Sequence, residues 1–284
     1  MSAISEFTQS YFLWKEAVAA GAVIGALCGF LGVSVVLRRI IFVSAALTQV
    51  SGLGVAFAFY IQAFAVGLAV PFANPTISSL IFTLIAAYLF AIKKDSLKIT
   101  KEGVIGFGFL LASASVLILG DKLTHGAHDI SDIIFGTAVV VSEKELYYIL
   151  IVALVVGALF RKYHKDFIFV SFDPDSATLF KFPVKLANAL LLVSIGAVIS
   201  ISTKAIGALP VFGLLTLPAL CSLQLTEKLS RIFILSVIIG VVSSVLGYFF
   251  SFIFSTPTGA SITLTASFIL ILCSAAGRLR NYQY

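Results

Sequence analysis

Charged residues are scarce in this chain. Asp, Glu, Lys and Arg make up 11% of its 284 residues, and it holds only three histidines and three cysteines. Such a composition excludes an ordinary soluble domain. The hydrophobic residues, 60% of the total, fall into runs of helix length. Because a bilayer-spanning helix needs about 20 apolar residues, the sequence predicts an all-α, polytopic membrane protein.

Motifs for ATP hydrolysis and for cysteine-bound zinc are also missing. No GxxxxGK[ST] sequence occurs, so the chain does not bind ATP through a P-loop. Cys28, Cys221 and Cys273 lie inside apolar runs without paired spacing, which predicts core residues rather than a disulfide framework or a zinc site. No acid or base lies near the centre of an apolar run, where ion-coupled carriers usually keep one. Any active transport would therefore draw its energy from a partner chain.

Basic residues are concentrated where apolar runs end. The net charge of +6 is thus distributed as membrane topology demands, which argues against a nucleic-acid partner. If the side holding Arg38 and Arg39 is cytoplasmic, only four of the 19 basic residues fall on the other side. These four are Lys15, Lys122, Lys144 and Lys204. The positive-inside rule then places the N-terminus outside and the C-terminus in the cytoplasm. The first residues lack a basic n-region and do not resemble a signal peptide.

The apolar runs predict eight or nine transmembrane helices in a single domain, residues 1–284. The approximate spans are 16–37, 41–67, 77–92, 103–120, 145–160, 185–203, 206–223, 231–254 and 261–277. Residues 133–142 are also apolar but cover only about half the length of a crossing. They predict a short or re-entrant helix beside the outer mouth.

The cytoplasmic segment 171–184, SFDPDSATLFKFPV, predicts a short capped helix. Asp173 suits the N-cap, Pro174 the first helical position and Asp175 the positive helix end. Such a helix could dock a partner ATPase, or it could simply lie at the membrane interface. From the residues alone, the interfacial interpretation is preferred.

Gly21, Gly25 and Gly29 form a small-residue ridge at four-residue spacing in the first span. Such ridges let two helix backbones approach closely. Packing within one subunit is preferred here over a dimer interface, because these ridges are common in membrane bundles.

The most polar external stretch is THGAHDISD, residues 124–132, in a predicted external loop over 121–132. If residues 125–132 are helical, four candidate metal ligands line one face: His125, His128, Asp129 and Asp132. Imidazole and carboxylate together suit zinc, and also manganese or iron. The alternative is a solvated loop in which an aspartate caps the next helix, and it is preferred because spacing alone often misleads.

Five segments carry a recognisable pattern. They are GVSVVLRRIIFVSAALTQVSGLGVAFAF (32–59), DIIFGTAVVVS (132–142), SFDPDSATLFKFPV (171–184), KAIGALPVFGLLTLPALCSLQLT (204–226) and TPTGASITLTASFILIL (256–272). Each motif alone is loose, but five in this order are specific. Together they resemble the permease subunit of the zinc/manganese ABC importers.

The resemblance implies a type II-like permease with several partners: a second permease copy, a cytoplasmic ATPase dimer and an extracytoplasmic metal-binding protein. It also implies that 171–184 meets the ATPase, which reverses the interfacial interpretation. The coupling residues would be Phe172, Asp173, Pro174, Asp175, Ala177, Phe180 and Lys181. The chain would be no enzyme and would bind no cofactor, with the metal as its transported substrate and ATP on the partner subunit.

The second span departs from the family pattern. There the family carries DALSHA, whose acid and histidine lie four residues apart on one helix face. This chain reads SAALTQV, with Ala45 and Gln49 at those positions, and neither is a good ligand for zinc or manganese. By position, Ala45, Thr48 and Gln49 would face the transport pathway.

The sequence therefore predicts a plasma-membrane permease that moves zinc or manganese inward by alternating access. The two substitutions on the second span keep alternatives open. These are an ABC permease for a different substrate, the ligand-poor half of a permease heterodimer, and a non-conducting membrane scaffold that binds an ATPase.

Overall fold

The computed structural model describes residues 11–64, 71–92, 100–122, 141–172, 179 and 184–281. Over these ranges the chain forms ten α-helices and no strand. The helices are α1 (Tyr11–Leu37), α2 (Ile41–Phe64), α3 (Pro75–Ile92), α4 (Lys101–Asp121), α5 (Glu143–Lys162), α6 (His164–Phe172), α7 (Val184–Ile206), α8 (Ala208–Leu225), α9 (Leu229–Phe254) and α10 (Thr258–Asn281).

Eight of the described helices, α1 to α4 and α7 to α10, are long and apolar enough to cross a membrane. Helix α5 is also 20 residues long, but it carries acids in its first turn and Arg161 and Lys162 in its last. At 1.5 Å per residue it covers about 30 Å, the thickness of the hydrocarbon core. The prediction of an all-α membrane protein with eight to nine spanning helices is confirmed.

The spanning helices pack as two sets. In the first, which we name the glycine half, α1 packs against α8 and α9, and α10 packs against the same two helices. In the second, which we name the serine half, α2 packs against α3 and α4, and α7 packs against α3. The halves meet where α8 contacts α2 and where α7 contacts α1 and α8.

Helices α1 and α9 touch through their backbones. A Cβ atom added to Gly25 would lie 2.5 Å from the carbonyl oxygen of Gly240, and one added to Gly29 would lie 2.5 Å from that of Ser236. One added to Gly21 would lie 2.6 Å from the ring of Tyr248. The small-residue ridge of the first span therefore lies against another helix of the same chain.

The connection between α1 and α2 is a Schellman turn. Arg39 has the left-handed φ of 57° that usually favours glycine. Its N–H donates to the Val36 carbonyl oxygen, and the Ile40 N–H donates to that of Val35, both at 3.0 Å. These two bonds satisfy the last carbonyls of α1 and fix the geometry of the turn.

Two of the three cysteines are paired, so the prediction of three isolated core residues was wrong. Cys221 on α8 and Cys273 on α10 form a disulfide with a Cα–Cα distance of 5.8 Å. Cys28 is free and buried. Spacing along the sequence could not reveal the pair, because 52 residues separate its members and their contact depends on which faces of α8 and α10 meet.

Candidate transport pathway

Helix α2 places the three predicted pathway residues on two faces. Thr48 is 2% exposed, and its Oγ1 donates to the Ala45 carbonyl oxygen at 2.8 Å. Ala45 and Gln49 are only half-buried and share an adjacent face, because they are four residues apart. The Thr48 hydroxyl therefore keeps only its lone pairs for a ligand, whereas Gln49 presents a whole amide group to the more open face.

Serine side chains link α2, α3 and α7 inside the bundle. The Oγ atoms of Ser51 and Ser79 are 2.8 Å apart, and Ser79 Oγ lies 3.2 Å from the Ser200 carbonyl oxygen, to which it donates. Since Ser79 uses its proton there, Ser51 is the donor to Ser79. All three residues are fully buried. We name Ser51, Ser79 and Ser200 the serine seam.

A glycine makes this seam possible. A Cβ atom added to Gly54 on α2 would lie 2.5 Å from the Ser79 Cα atom on α3. The two backbones therefore meet one turn beyond Ser51, and the short serine side chains can bridge the helices.

Two hydroxyl groups at the seam, like those of Ser243, Ser244 and Tyr248 in the glycine half, are buried without a hydrogen-bond partner among the described residues. They are Ser78 Oγ and Ser200 Oγ, both on residues with no exposed surface. A polar group left unsatisfied in the interior costs about 1–3 kcal/mol. A water molecule or a cation that reaches the seam would remove this cost by contacting these oxygens.

The described interior is uncharged. The buried side chains with polar oxygen atoms in these ranges are serines, threonines and Tyr248. The same ranges hold no group of three His, Cys, Asp or Glu residues that could bind a metal ion. Hydroxyl and amide oxygens are neutral, hard ligands that suit manganese better than zinc. The described interior thus offers neutral oxygen atoms rather than a tight metal site.

The remaining predicted site residues fall largely outside the described ranges. The external group His125, His128, Asp129 and Asp132 lies there entirely. Of the coupling segment, Phe172 ends α6, and the other coupling residues lie outside the described ranges. Those are Asp173, Pro174, Asp175, Ala177, Phe180 and Lys181. The structure does describe the two helices that flank this segment, α6 and α7.

An ion pair joins α5 to α7 at the end of the bundle that the sequence predicts to be external. Lys204 Nζ contacts Glu145 Oε1, and the two side chains are 29% and 23% exposed. The other carboxylate oxygen of Glu145 accepts the Ser142 N–H at 3.1 Å, within a capping box that begins α5. Glu145 therefore ties the start of α5 to the last turn of α7.

Sequence reasoning missed the serine seam. The available signal was weak, because serine and threonine in membrane helices usually bond to their own backbone. Thr83, Ser194 and Thr203 do so, each donating to the carbonyl oxygen four residues earlier. Only the packing of α2, α3 and α7 distinguishes Ser51 and Ser79 from these.

The fold defines the class of the molecule as a polytopic α-helical membrane protein. The chain belongs to the ABC 3 transport family, whose pattern it matches over residues 10–277. This match confirms the family resemblance that the five sequence segments carry.

Individual relatives match over most of their length. The manganese transport system membrane protein MntC of Listeria monocytogenes is 26% identical over 267 residues, covering 94% of this chain and 91% of that protein. The chelated iron transport system membrane protein YfeD of Yersinia pestis is 27% identical over 267 residues, covering 93% and 85%. Among solved structures, PsaBC from Streptococcus pneumoniae in complex with Fab has a TM-score of 0.81 at 24% identity, covering 95% of each chain. This likeness shows a shared fold.

Proposed function

We propose that this chain is the transmembrane subunit of an ABC importer that moves a divalent metal ion, manganese or zinc, into the cell. The observation that carries the proposal is the family match over residues 10–277, together with a relative named for manganese transport that aligns over 94% of the chain. Transport proceeds by alternating access, in which partner ATPases close and reshape the helices around the pathway.

Manganese is favoured over zinc by the chemistry of α2. Ala45 offers no donor atom, Gln49 offers a neutral amide, and Thr48 offers hydroxyl lone pairs. Zinc prefers imidazole and thiolate ligands, whereas manganese accepts oxygen ligands. A route with weak oxygen ligands would let manganese pass without trapping it.

The energy and the capture of the metal come from other chains. The sequence has no P-loop, so ATP hydrolysis belongs to an ATPase dimer on the cytoplasmic side. That dimer meets residues 171–184, and an extracytoplasmic metal-binding protein delivers the ion to the opposite side. The permease is multi-pass in the plasma membrane, with its N-terminus outside and its C-terminus inside.

Uptake into proteoliposomes tests this function. The permease is reconstituted with its ATPase and binding protein and supplied with radioactive manganese, zinc or iron. We expect ATP-dependent manganese uptake that exceeds zinc uptake. An assembly that hydrolyses ATP but imports none of the three metals would contradict the proposal. Loss of uptake in the His125→Ala/His128→Ala variant would assign metal binding to the external group, and unchanged uptake would make that segment a solvated loop.

The coupling segment is tested by charge reversal. Asp173→Lys/Asp175→Lys should lower the number of metal ions imported per ATP hydrolysed, because both carboxylates are placed at the ATPase contact. Asp121→Lys reverses an exposed acid at the end of α4 and should leave this ratio unchanged. An unchanged ratio in the double variant would remove the assignment of 171–184.

A heterodimeric permease is the second candidate, and Ala45 and Gln49 are the observation that favours it. In that arrangement, a partner permease keeps the acid and the histidine, and this chain supplies the ligand-poor half. Manganese uptake by assemblies that contain only this permease would exclude the heterodimer. Uptake that requires a second permease carrying both ligands would support it.

A further inference from the structure

Arg38 connects three elements at the end of the bundle predicted to be cytoplasmic. It lies in the turn between α1 and α2, where its Nη1 donates to Asn188 Oδ1 on α7. Its Nη2 donates to the Phe167 carbonyl oxygen on α6 at 3.2 Å. Burial lowers the pKa of Arg38 to about 10, so the guanidinium remains charged at physiological pH. One side chain thus contacts both α6 and α7 from the α1–α2 turn.

These two helices are the stems of the coupling segment. Helix α6 ends at Phe172 and α7 begins at Val184, so every residue between them belongs to the segment that the proposed function places against the ATPase. A guanidinium has a planar fork of donors and can hold two acceptors in fixed relative positions. The Arg38 bonds therefore fix the distance between the two stems.

The α6 stem is itself held firmly. Phe167 is 2% exposed, and its ring centroid lies 4.5 Å from that of Phe160 on α5. Phe160 in turn packs edge-to-face on Phe30 of α1, with centroids 5.1 Å apart. A displacement of the stem would accordingly move a packed group of side chains together with Arg38.

The turn that carries Arg38 leads directly into α2. Both hydrogen bonds of the Schellman turn join residues on either side of Arg38 in the sequence. The Ile40 carbonyl oxygen accepts the N–H groups of Val43 and Ser44 at 3.0 and 3.3 Å. The turn is therefore continuous with the first turn of α2. Gln49 lies about two helical turns from Ile41, where α2 begins.

We propose that Arg38 is a positioning residue that conveys movement of the two stems of the coupling segment to α2. This role rests on the proposed function, because it requires that an ATPase act on residues 171–184. Arg39 provides a matched control, since it is the same residue type in the same turn but its side chain is exposed.

Two readouts test this role in the reconstituted permease–ATPase–binding-protein complex. The first is the number of manganese ions imported per ATP hydrolysed. The second is the ATP-dependent change in labelling of the Gln49→Cys variant by a membrane-impermeant maleimide. The labelling of the parent chain, which keeps Gln49 and has Cys28 as a free cysteine, is subtracted. We expect Arg38→Gln to lower the first readout about tenfold and to abolish the second, with ATP hydrolysis retained. Arg39→Gln should change neither readout.

Further variants separate a positioning role from a merely structural one. Asn188→Leu should lower the ion-to-ATP ratio in the same direction, and combining it with Arg38→Gln should add little, because the two residues share one bond. Arg38→Lys should lie between wild type and Arg38→Gln, since an ammonium lacks the fork. A purely structural defect would lower uptake and ATP hydrolysis together and leave their ratio unchanged, and that result would overturn the proposal. So would an equal effect of Arg39→Gln.

The labelling readout also separates this inference from the proposed function. If the wild-type complex imports no manganese, the cargo assignment fails. An ATP-dependent labelling change at position 49 that Arg38→Gln abolishes would still support the positioning role. Labelling that changes equally in the wild type and in Arg38→Gln would overturn it, whatever the cargo.

Discussion

The glycine half and the serine half of the bundle combine close backbone packing and hydrogen bonds in different proportions. Between α1 and α9, glycine removes side chains from the interface, so that backbone lies on backbone at Gly25 and Gly29. Between α2, α3 and α7, a close approach at Gly54 is accompanied by hydrogen bonds through Ser79. The first contact has three glycines and one serine bond, from Ser236 Oγ to the Gly29 carbonyl oxygen at 2.6 Å, whereas the second has two hydroxyl groups in series between three helices.

This difference has a consequence for function. In lipid there is no hydrophobic force between helices, so close packing and polar bonds provide the association. A contact made of backbone surfaces tolerates no added atoms. A contact made of hydroxyl groups can exchange partners at modest cost, and it offers oxygen ligands. The serine half also holds Gln49 on a half-buried face of α2, and this is the part of the molecule in which the proposed cation pathway lies.

The largest effect should come from adding a methyl group to the glycine contact. Gly25→Ala would place Cβ 2.5 Å from the Gly240 carbonyl oxygen, and backbone cannot rotate away as a side chain can. We expect a loss of about 3 kcal/mol, at the upper end for overpacking. The melting temperature of the purified complex in detergent measures it.

Gly157→Ala is the control for this substitution. Gly157 lies in α5 with no atom within 4 Å of an added Cβ, so alanine there should be neutral or stabilise the helix by up to about 1 kcal/mol. Equal melting temperatures for the two variants would show that α1 and α9 are not in backbone contact.

A smaller loss should follow removal of the central hydroxyl from the serine seam. Ser79→Ala leaves the Ser51 hydroxyl and the Ser200 carbonyl oxygen without this partner, at a cost of about 1 kcal/mol. The control is Ser113→Ala on α4, because among the described residues that hydroxyl donates only to the carbonyl oxygen of Phe109 in its own helix. Should Ser113→Ala destabilise the complex as much as Ser79→Ala, the seam would have no special part in packing.

The smallest effect should come from the ion pair between α5 and α7. Lys204→Met breaks the contact with Glu145, and partly exposed pairs contribute about 0.2–1 kcal/mol. The control is Lys144→Met, because Lys144 is an exposed lysine next to Glu145 in the sequence. The difference in stability between the two variants should shrink as salt is raised, because salt screens the Lys204–Glu145 pair. A difference that does not depend on salt would rule out an electrostatic origin.

The sequence predicts the helices better than it predicts their contacts. Apolar runs locate the spans because in lipid the backbone N–H and C=O groups must pair with each other, which a helix achieves. Even α5 is found in this way, from the roughly 15 apolar residues between its charged ends. The ridge at Gly21, Gly25 and Gly29 is visible in the sequence, but its partner α9 is not. The serine seam and the Cys221–Cys273 pair depend wholly on helix rotation, which spacing alone does not determine.

The predicted pathway residues show the same limit. Family resemblance singles out Ala45 and Gln49 by their positions in α2, and the structure places them on a half-buried face beside the buried Thr48. Which groups lie next to α2 depends on how α2, α3 and α7 pack, and so the contact of Ser79 with Ser51 could not be found from the sequence.

The most direct measurement restores the family ligands on α2. Ala45→Asp/Gln49→His would put a carboxylate and an imidazole on one helix face in the reconstituted complex, and manganese affinity and ATP-driven uptake would be compared with those of the wild type. If this face lines the pathway, the affinity should rise about tenfold or more, and the rate of uptake should change with it. Unchanged affinity and uptake would place the face away from the route of the metal and contradict the account.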